Sequence, residues 1–190
     1  MILLLMGPQG SGKSTQGKLL AEKLQMHFIS TGDVLRTLYR ENDPVGIEAN
    51  RYWGKGELVP DEIVHKVMKE YLALHPEPSG YIIDGYPRHA AQYATMADVL
   101  PEPVKALIYL DLQGNVIAER LQKRWHLEHR QDENQTAIQR RLQIYDTETH
   151  PLIDRFRRDG VPVIEVDATP AIETIFANIL AGLKVNKITT

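Results

Sequence analysis

The sequence contains no cysteine among its 190 residues. That absence excludes disulfides, a thiol nucleophile and any cysteine-ligated zinc site, and it fits a reducing compartment. Nor is there an excess of one charge. The 25 acidic and 22 basic side chains leave a net −3, which argues against bulk affinity for nucleic acid or an anionic membrane. No apolar run approaches the roughly 20 residues of a membrane span. The apolar start at 2–6 is short, lacks a basic flank and runs into a glycine loop, unlike a signal peptide. Internal repeats and low-complexity tracts are missing too. What remains is the profile of a soluble, cytoplasmic protein. Its length suits one domain with small inserted subdomains, enough to bury roughly 70% of the unfolded surface without a staple.

Short apolar runs at 2–6, 27–30, 81–84, 106–110 and 161–166 read as strands. Most are apolar on both faces, as in a parallel sheet covered on both sides. Between them the spacing turns helical. On 61–74, Ile63, Val64, Val67, Met68, Tyr71 and Leu72 fall on one helical face. Helices are also predicted over 13–25, 33–41, 46–54, 89–99, 114–124, 134–149 and 170–183. Alternating strands and helices predict an α/β fold with right-handed crossovers, whose ligands bind at the carboxyl ends of the strands. Three chemically distinctive segments, 7–15, 31–36 and 84–88, directly follow predicted strands, so one cleft can collect all three. The stretch 31–75 puts two or three helices into one crossover, as an inserted helical subdomain would. Residues 125–133 form a charged loop between helices.

The segment Gly7-Pro8-Gln9-Gly10-Ser11-Gly12-Lys13-Ser14-Thr15 satisfies G-x-x-x-x-G-K-[ST] between a strand and a helix. Its glycines let the backbone turn tightly and aim successive N–H groups at phosphate oxygens. The helix that follows offers its positive end to the anion. The predicted donor-phosphate site is therefore Gly7, Gly10, Ser11, Gly12, Lys13, Ser14 and Thr15. Lys13 reaches the β- and γ-phosphates, and the Ser14 hydroxyl ligates Mg²⁺ directly or through water. Asp84, closing an apolar strand in the same sheet, is read as a holder of the Mg²⁺ water shell; the alternative is a turn aspartate before Gly85.

Switches, motors and transporters share such a loop with kinases. A kinase also needs an acceptor site and positive charge for the transferring group, because positioning and charge stabilisation dominate phosphoryl transfer. Eight arginines lie between 120 and 158, and the planar guanidinium fork suits phosphate. Arg36 and Arg88 each follow a strand end and can reach the cleft; ordinary surface arginine is the alternative. Arg130 and Arg141 are candidates for a mobile lid, with salt bridges to Asp132, Glu133 or Glu148 as the alternative. Arg140, Arg155, Arg157 and Arg158 read as surface residues. His65, His75 and His150 read as surface helix or helix-end residues, His126 and His129 as a solvated loop pair with a metal pair as the alternative, and Trp53 and Trp125 as partly buried in helix packing with cofactor platforms as the alternative.

The motifs GPQGSGKSTQ (7–16), STGDVLR (30–36), GELVPDEIV (56–64), YIIDGYPRHAAQ (81–92), RQDENQTAIQRRL (130–142) and VIEVDAT (163–169), in this order, resemble the adenylate kinase family of nucleoside monophosphate kinases across almost the whole chain. The resemblance implies a three-layer α/β/α fold of the P-loop NTPase type on a five-stranded parallel sheet. The core would be 1–29, 61–124 and 134–190, with a nucleoside monophosphate-binding subdomain at 30–60 and a short lid at 125–133. It implies the reaction Mg·ATP + AMP ⇌ 2 ADP. Thr31 and Gln92 would touch the AMP adenine, helped by backbone near Glu57, Val59 and Gly85. Arg36 and Arg88 would grip its phosphate, and Arg120 would lie against the ATP adenine. Arg124, Arg130 and Arg141 would converge on the phosphates, and Asp132 would help close the lid. Asp33 and Asp84 would hold the magnesium water shell. Relatives of this kind are often monomers, and the implied partners are ATP and AMP alone.

Some positions depart from the family pattern. Ser14 stands where glycine is usual, Gln139 and Arg140 where many relatives carry arginine and lysine, and Glu133 where aspartate is frequent. The five residues between Arg124 and Arg130 make a short lid that cannot hold the structural zinc of some long-lid relatives. Short lids also occur in UMP/CMP kinases, while Thr31 leans toward adenine because pyrimidine-specific relatives commonly have alanine there. Two other readings stay open: a P-loop kinase for UMP, CMP or another small acceptor, and a nucleotide-dependent switch. Segments 31–60 and 125–133 are expected to move inward on binding.

Overall fold

The computed structural model of the protein describes residues 1–112, 114, 116, 117, 119–121 and 135–188. Strands β1 (Ile2–Met6), β2 (His27–Ser30), β3 (Tyr81–Asp84), β4 (Val104–Asp111) and β5 (Val163–Asp167) form one sheet in the order β2-β3-β1-β4-β5. Every pairing is parallel. The register levels three carboxyl ends, because Ser30 pairs with Asp84 and Asp84 with Leu5. The segments that follow β1, β2 and β3 therefore emerge side by side.

Period-two alternation sends β1 into two cores at once. Leu3 and Leu5 pack with Ile82, Ile108 and Leu110 on one face, under Leu20, Ile175 and Ile179. Ile2, Leu4 and Met6 pack with Ile29, Ile83 and Leu107 on the other, over Val64, Met68 and Phe156. Each fully buried aliphatic side chain stabilises the fold by about 1.5–3 kcal/mol. Two-faced burial explains why β1 reads as an unbroken apolar run.

Helix α1 (Lys13–Leu24) starts from the phosphate loop. Helix α2 (Thr31–Arg40) starts two residues earlier than the spacing predicted, because Ser30 ends β2 and also caps α2, its side chain accepting from the Asp33 N–H at 3.3 Å. Helix α3 (Pro44–Trp53) is started by the Asp43 cap and by Pro44, whose missing N–H costs nothing in a first turn. Helix α4 (Asp61–Leu74) matches its predicted bounds and buries Val64, Val67, Met68 and Leu72. Thus α2, α3 and α4 all fall between β2 and β3.

Three segments differ from expectation. The predicted helix over 89–99 is a short α5 (Ala90–Ala94) followed by a 3₁₀ turn at Met96–Asp98. The predicted helix over 134–149 is α6 (Gln135–Ile144) running into a π-helical turn at Tyr145–Thr149. A further helix, α7 (Pro151–Arg158), was not anticipated, although Pro151 opens it and Leu152, Ile153 and Phe156 line its buried face. Its charged residues read as surface and masked that stripe. Helix α8 (Ile172–Val185) closes the chain against β5. Residues 114, 116, 117 and 119–121 are helical, with Ile117 and Leu121 buried. No helix among the described residues is long and apolar enough to cross a membrane.

Candidate active site

The levelled ends of β1, β2 and β3 open into a cleft of about 400 Å³. Its lining collects predicted site residues from six stretches of chain: Gly7, Gly10, Gly12, Lys13, Ser14 and Thr15; Thr31 and Arg36; Glu57 and Val59; Asp84, Gly85, Arg88 and Gln92; Arg120; and Arg141. Ser11 is the exception in the phosphate loop. It is fully buried and does not line the cleft, and its Oγ has no hydrogen-bond partner among the described residues. Arg124 and Arg130 lie outside the described residues, as do Asp132, Glu133, Trp125, His126 and His129.

The phosphate loop is shaped by close contact with β4. Gly7 has φ 153°, and a Cβ there would sit 2.5 Å from the Leu110 carbonyl oxygen, so only glycine fits. Gly10 and Gly12 are also left-handed. Lys13 folds back over the loop, its Nζ donating to the Gly7 and Pro8 carbonyls at 2.8 Å each. The Ser14 hydroxyl faces Asp84 Oδ2 at 3.4 Å, too long for a strong O–H···O bond. Two hard oxygen donors at that spacing at the foot of the loop suit a cation that keeps most of its own waters, as Mg²⁺ does. Among the described residues no group of three or more His, Cys, Asp or Glu could cage a metal ion by itself.

The side of the cleft expected to take an acceptor is built from longer reach. Arg36 pairs with Asp33 one turn back on α2. Arg88 donates from Nε to the Gly85 carbonyl at 3.0 Å. Protein surrounds Arg88 although water reaches it through the cleft mouth. This desolvation lowers the pKa of its guanidinium; the Asp84 carboxylate opposes the shift, and Arg141 and Arg36 add to it. An arginine starts so high that the group stays charged. The same interactions put three guanidiniums in one field, with the Asp84 carboxylate beside Arg88 and the Asp33 carboxylate beside Arg36. Such a concentration of positive charge is costly unless an anion is meant to enter.

Helix α6 touches the segment after α3 directly. Arg141 donates to the Trp53 carbonyl at 2.7 Å, and Arg140 pairs with Glu57 at 3.2 Å. Gly56, at φ 76°, lies so close that a Cβ would come 2.5 Å from the Ala137 carbonyl oxygen. Arg140 is thus more than a lone surface charge, although its side chain is 52% exposed. Beside the phosphate loop, Arg120 donates to the Thr169 carbonyl at 3.0 Å and approaches the Gly10 carbonyl at 3.5 Å.

Several cleft residues were not among the predicted site residues. Trp53, Leu35, Val64 and Tyr145 line the wall. Thr149, in the π-helical turn, donates from Oγ1 to the Arg88 carbonyl at 2.6 Å across 61 residues of sequence. Local π geometry at a binding cleft is a recurrent functional sign, but no motif announces it. His65 was read as a surface residue. It is instead half-buried, its ring edge-on to Tyr86 at 5.8 Å, with Nε2 lacking a hydrogen-bond partner among the described residues.

A family model described as adenylate kinase matches residues 5–161. The adenylate kinase of Bifidobacterium longum (strain NCC 2705) is 40% identical over 187 residues, covering 97% of this chain and all of the relative. That of Micrococcus luteus is 36% identical over 184 residues, covering 95% and 89%. Adenylate kinase 1 of Nostoc sp. (strain PCC 7120) is 40% identical over 157 residues, covering 81% and 83%. With the family model matching residues 5–161 and relatives matching nearly its full length, the chain belongs to the adenylate kinase family.

Proposed function

We infer that the protein is a nucleoside monophosphate kinase that catalyses Mg·ATP + AMP ⇌ 2 ADP. The observation that carries this reading is the meeting of Arg36, Arg88 and Arg141 with the phosphate loop in one cleft. A switch or motor needs the loop; only a kinase for an anionic acceptor needs a second cluster of cations facing it.

The donor's β- and γ-phosphates rest on the amides of residues 7–15, with Lys13 released from its two carbonyl contacts to reach them. Arg120 lies against the donor base. Arg36 and Arg88 hold the acceptor's phosphate, while Thr31, Gln92 and the backbone near Glu57, Val59 and Gly85 hold its base. An α-phosphate oxygen of AMP forms the new bond to the γ-phosphorus as the bond to the β-bridging oxygen breaks. The attacking oxygen is already ionised at neutral pH, so no general base is required. Arg88 and Arg141, with Arg124 and Arg130, stabilise the charge spread over the equatorial oxygens. One such arginine contributes about 10³–10⁵ in rate in related chemistry. Ser14 and Asp84 would hold Mg²⁺ directly or through water; bound there, the ion would neutralise charge on the donor's phosphates.

The division into core, subdomain 30–60 and lid 125–133 belongs to the same proposal, as do inward closure of the last two, a turnover limited by lid opening, a monomeric state and a cytoplasmic location. Closure excludes water that would otherwise hydrolyse ATP. The decisive experiment incubates the protein with Mg·ATP and each nucleoside monophosphate in turn and separates the products. ADP from AMP is expected. Diphosphates only from UMP or CMP would move the assignment to a pyrimidine kinase. ATP hydrolysis without stimulation by any acceptor would leave a switch.

A further inference from the structure

Gln92 is 2% exposed and lies on α5 at the wall of the cleft. Its amide is held at both ends. Oε1 accepts from the Arg88 backbone N–H at 2.8 Å, and Nε2 donates to Asp61 Oδ1 at 2.8 Å. His89 Nε2 bonds the same Asp61 oxygen at 2.8 Å, donating when Nε2 carries the proton. Asp61 stands in the first turn of α4, a helix anchored through Val64, Val67 and Met68. The carboxylate therefore has a rigid base on one side and His89 bracing it on the other.

Both partners dictate one amide orientation. Rotated by 180°, Gln92 would set its N–H groups against the Arg88 N–H and its oxygen against the carboxylate. Two hydrogen bonds would be lost and two repulsions gained. In the observed orientation one Nε2 proton and one Oε1 lone pair remain unspent. A fixed donor beside a fixed acceptor matches the ring nitrogen and amino group on the edge of a 6-aminopurine, the pairing amides make with adenine. A 6-oxopurine presents a ring N–H and a carbonyl in the reverse order. An amide free to turn would serve both bases; a locked one serves only the first.

We propose that Asp61 is a specificity-determining positioning residue: by locking the Gln92 amide it makes the acceptor site take 6-aminopurine monophosphates and refuse 6-oxopurine ones. The inference rests on reading the cleft as a nucleoside monophosphate site. Asp61 touches no substrate in this scheme and acts through Gln92 alone. A merely structural role for Asp61 in starting α4 would weaken all acceptors alike.

The test is steady-state kinetics of the full chain with Mg·ATP and either AMP or IMP. In Asp61→Leu the ratio of kcat/KM for AMP to that for IMP falls by about tenfold or more, the scale at which one bidentate amide–base pair discriminates. The loss on AMP appears in its KM, IMP phosphorylation rises, and the KM for ATP stays unchanged. Asp61→Asn keeps the shape and one acceptor oxygen but can itself turn, so its ratio falls by less. Glu62→Gln removes a neighbouring charge from the same first turn without reaching Gln92 and keeps the wild-type ratio. If Asp61→Leu does not fold, Asp61→Asn decides. A wild-type AMP:IMP ratio in the folded Asp61 variants, or parallel losses on both acceptors, overturns the proposal while leaving the kinase reading standing. A wild-type protein that phosphorylates no monophosphate overturns that reading, and this inference with it.

Discussion

The two halves of the cleft proposed to hold donor and acceptor are built in opposite ways. The phosphate site of the donor half is nine consecutive residues, 7–15, bent into a cradle whose groups are mostly backbone amides. The acceptor half draws Thr31 and Arg36 from α2, Glu57 and Val59 from the segment before α4, Gly85 to Gln92 from the end of β3 and Arg141 from α6. A contiguous backbone cradle depends on local conformation and on one close neighbour, the Leu110 carbonyl beside Gly7. A side-chain fork gathered from four segments depends on every contact that sets those segments in place. Damage at a distance should therefore reach the acceptor before it reaches the donor.

The largest effects should come from the charges themselves, and they should divide by half. Lys13→Met is expected to lower kcat by about a thousandfold or more while AMP binding, followed by calorimetry, persists. Arg88→Ala should lower kcat as far and abolish measurable AMP binding, with ATP binding and the circular dichroism spectrum retained. Wild-type rates in Arg88→Ala would falsify the acceptor assignment.

Next comes the joint between α6 and the acceptor wall. Gly56→Ala adds a methyl against the Ala137 backbone at a left-handed position, costing about 1–3 kcal/mol of stability in a denaturant titration. The KM for AMP should rise more than the KM for ATP. Equal rises in both would mean that the two halves are not separable in this way.

Smaller still is the brace behind Arg88. Thr149→Val preserves shape but removes the hydroxyl that donates to the Arg88 carbonyl. The loss of about 1 kcal/mol predicts a roughly fivefold drop in kcat/KM for AMP, with ATP kinetics unmoved. The smallest effect belongs to Arg140→Ala. Its ion pair with Glu57 is half exposed, and such pairs contribute about 0–1 kcal/mol. A change in AMP kcat/KM beyond about fivefold would show that the pair does more than bridge two surfaces.

Legibility followed the same division. Each strand was visible as a short apolar run, and α4 was legible to its ends because six apolar residues repeat on one face. Helix α7 was not, because its arginines drew the reading toward solvent while Leu152, Ile153 and Phe156 sat between them. The predicted helix at 134–149 missed the π-helical turn, since one extra residue per turn leaves no compositional mark. In the cleft, the loop and the arginines could be picked out by type. The burial of Ser11, the brace from Thr149 and the lock on Gln92 could not.

The order of residues alone determined that this chain carries a phosphate-binding turn and an alternating α/β pattern, because both are short-range properties of backbone geometry and periodic burial. Which arginines face one another, and which side-chain oxygen orients Gln92, was decided only by the packed molecule. Those groups lie tens of residues apart in sequence, and hydrogen bonds between them exist only after two cores have pressed the sheet and its helices into one arrangement.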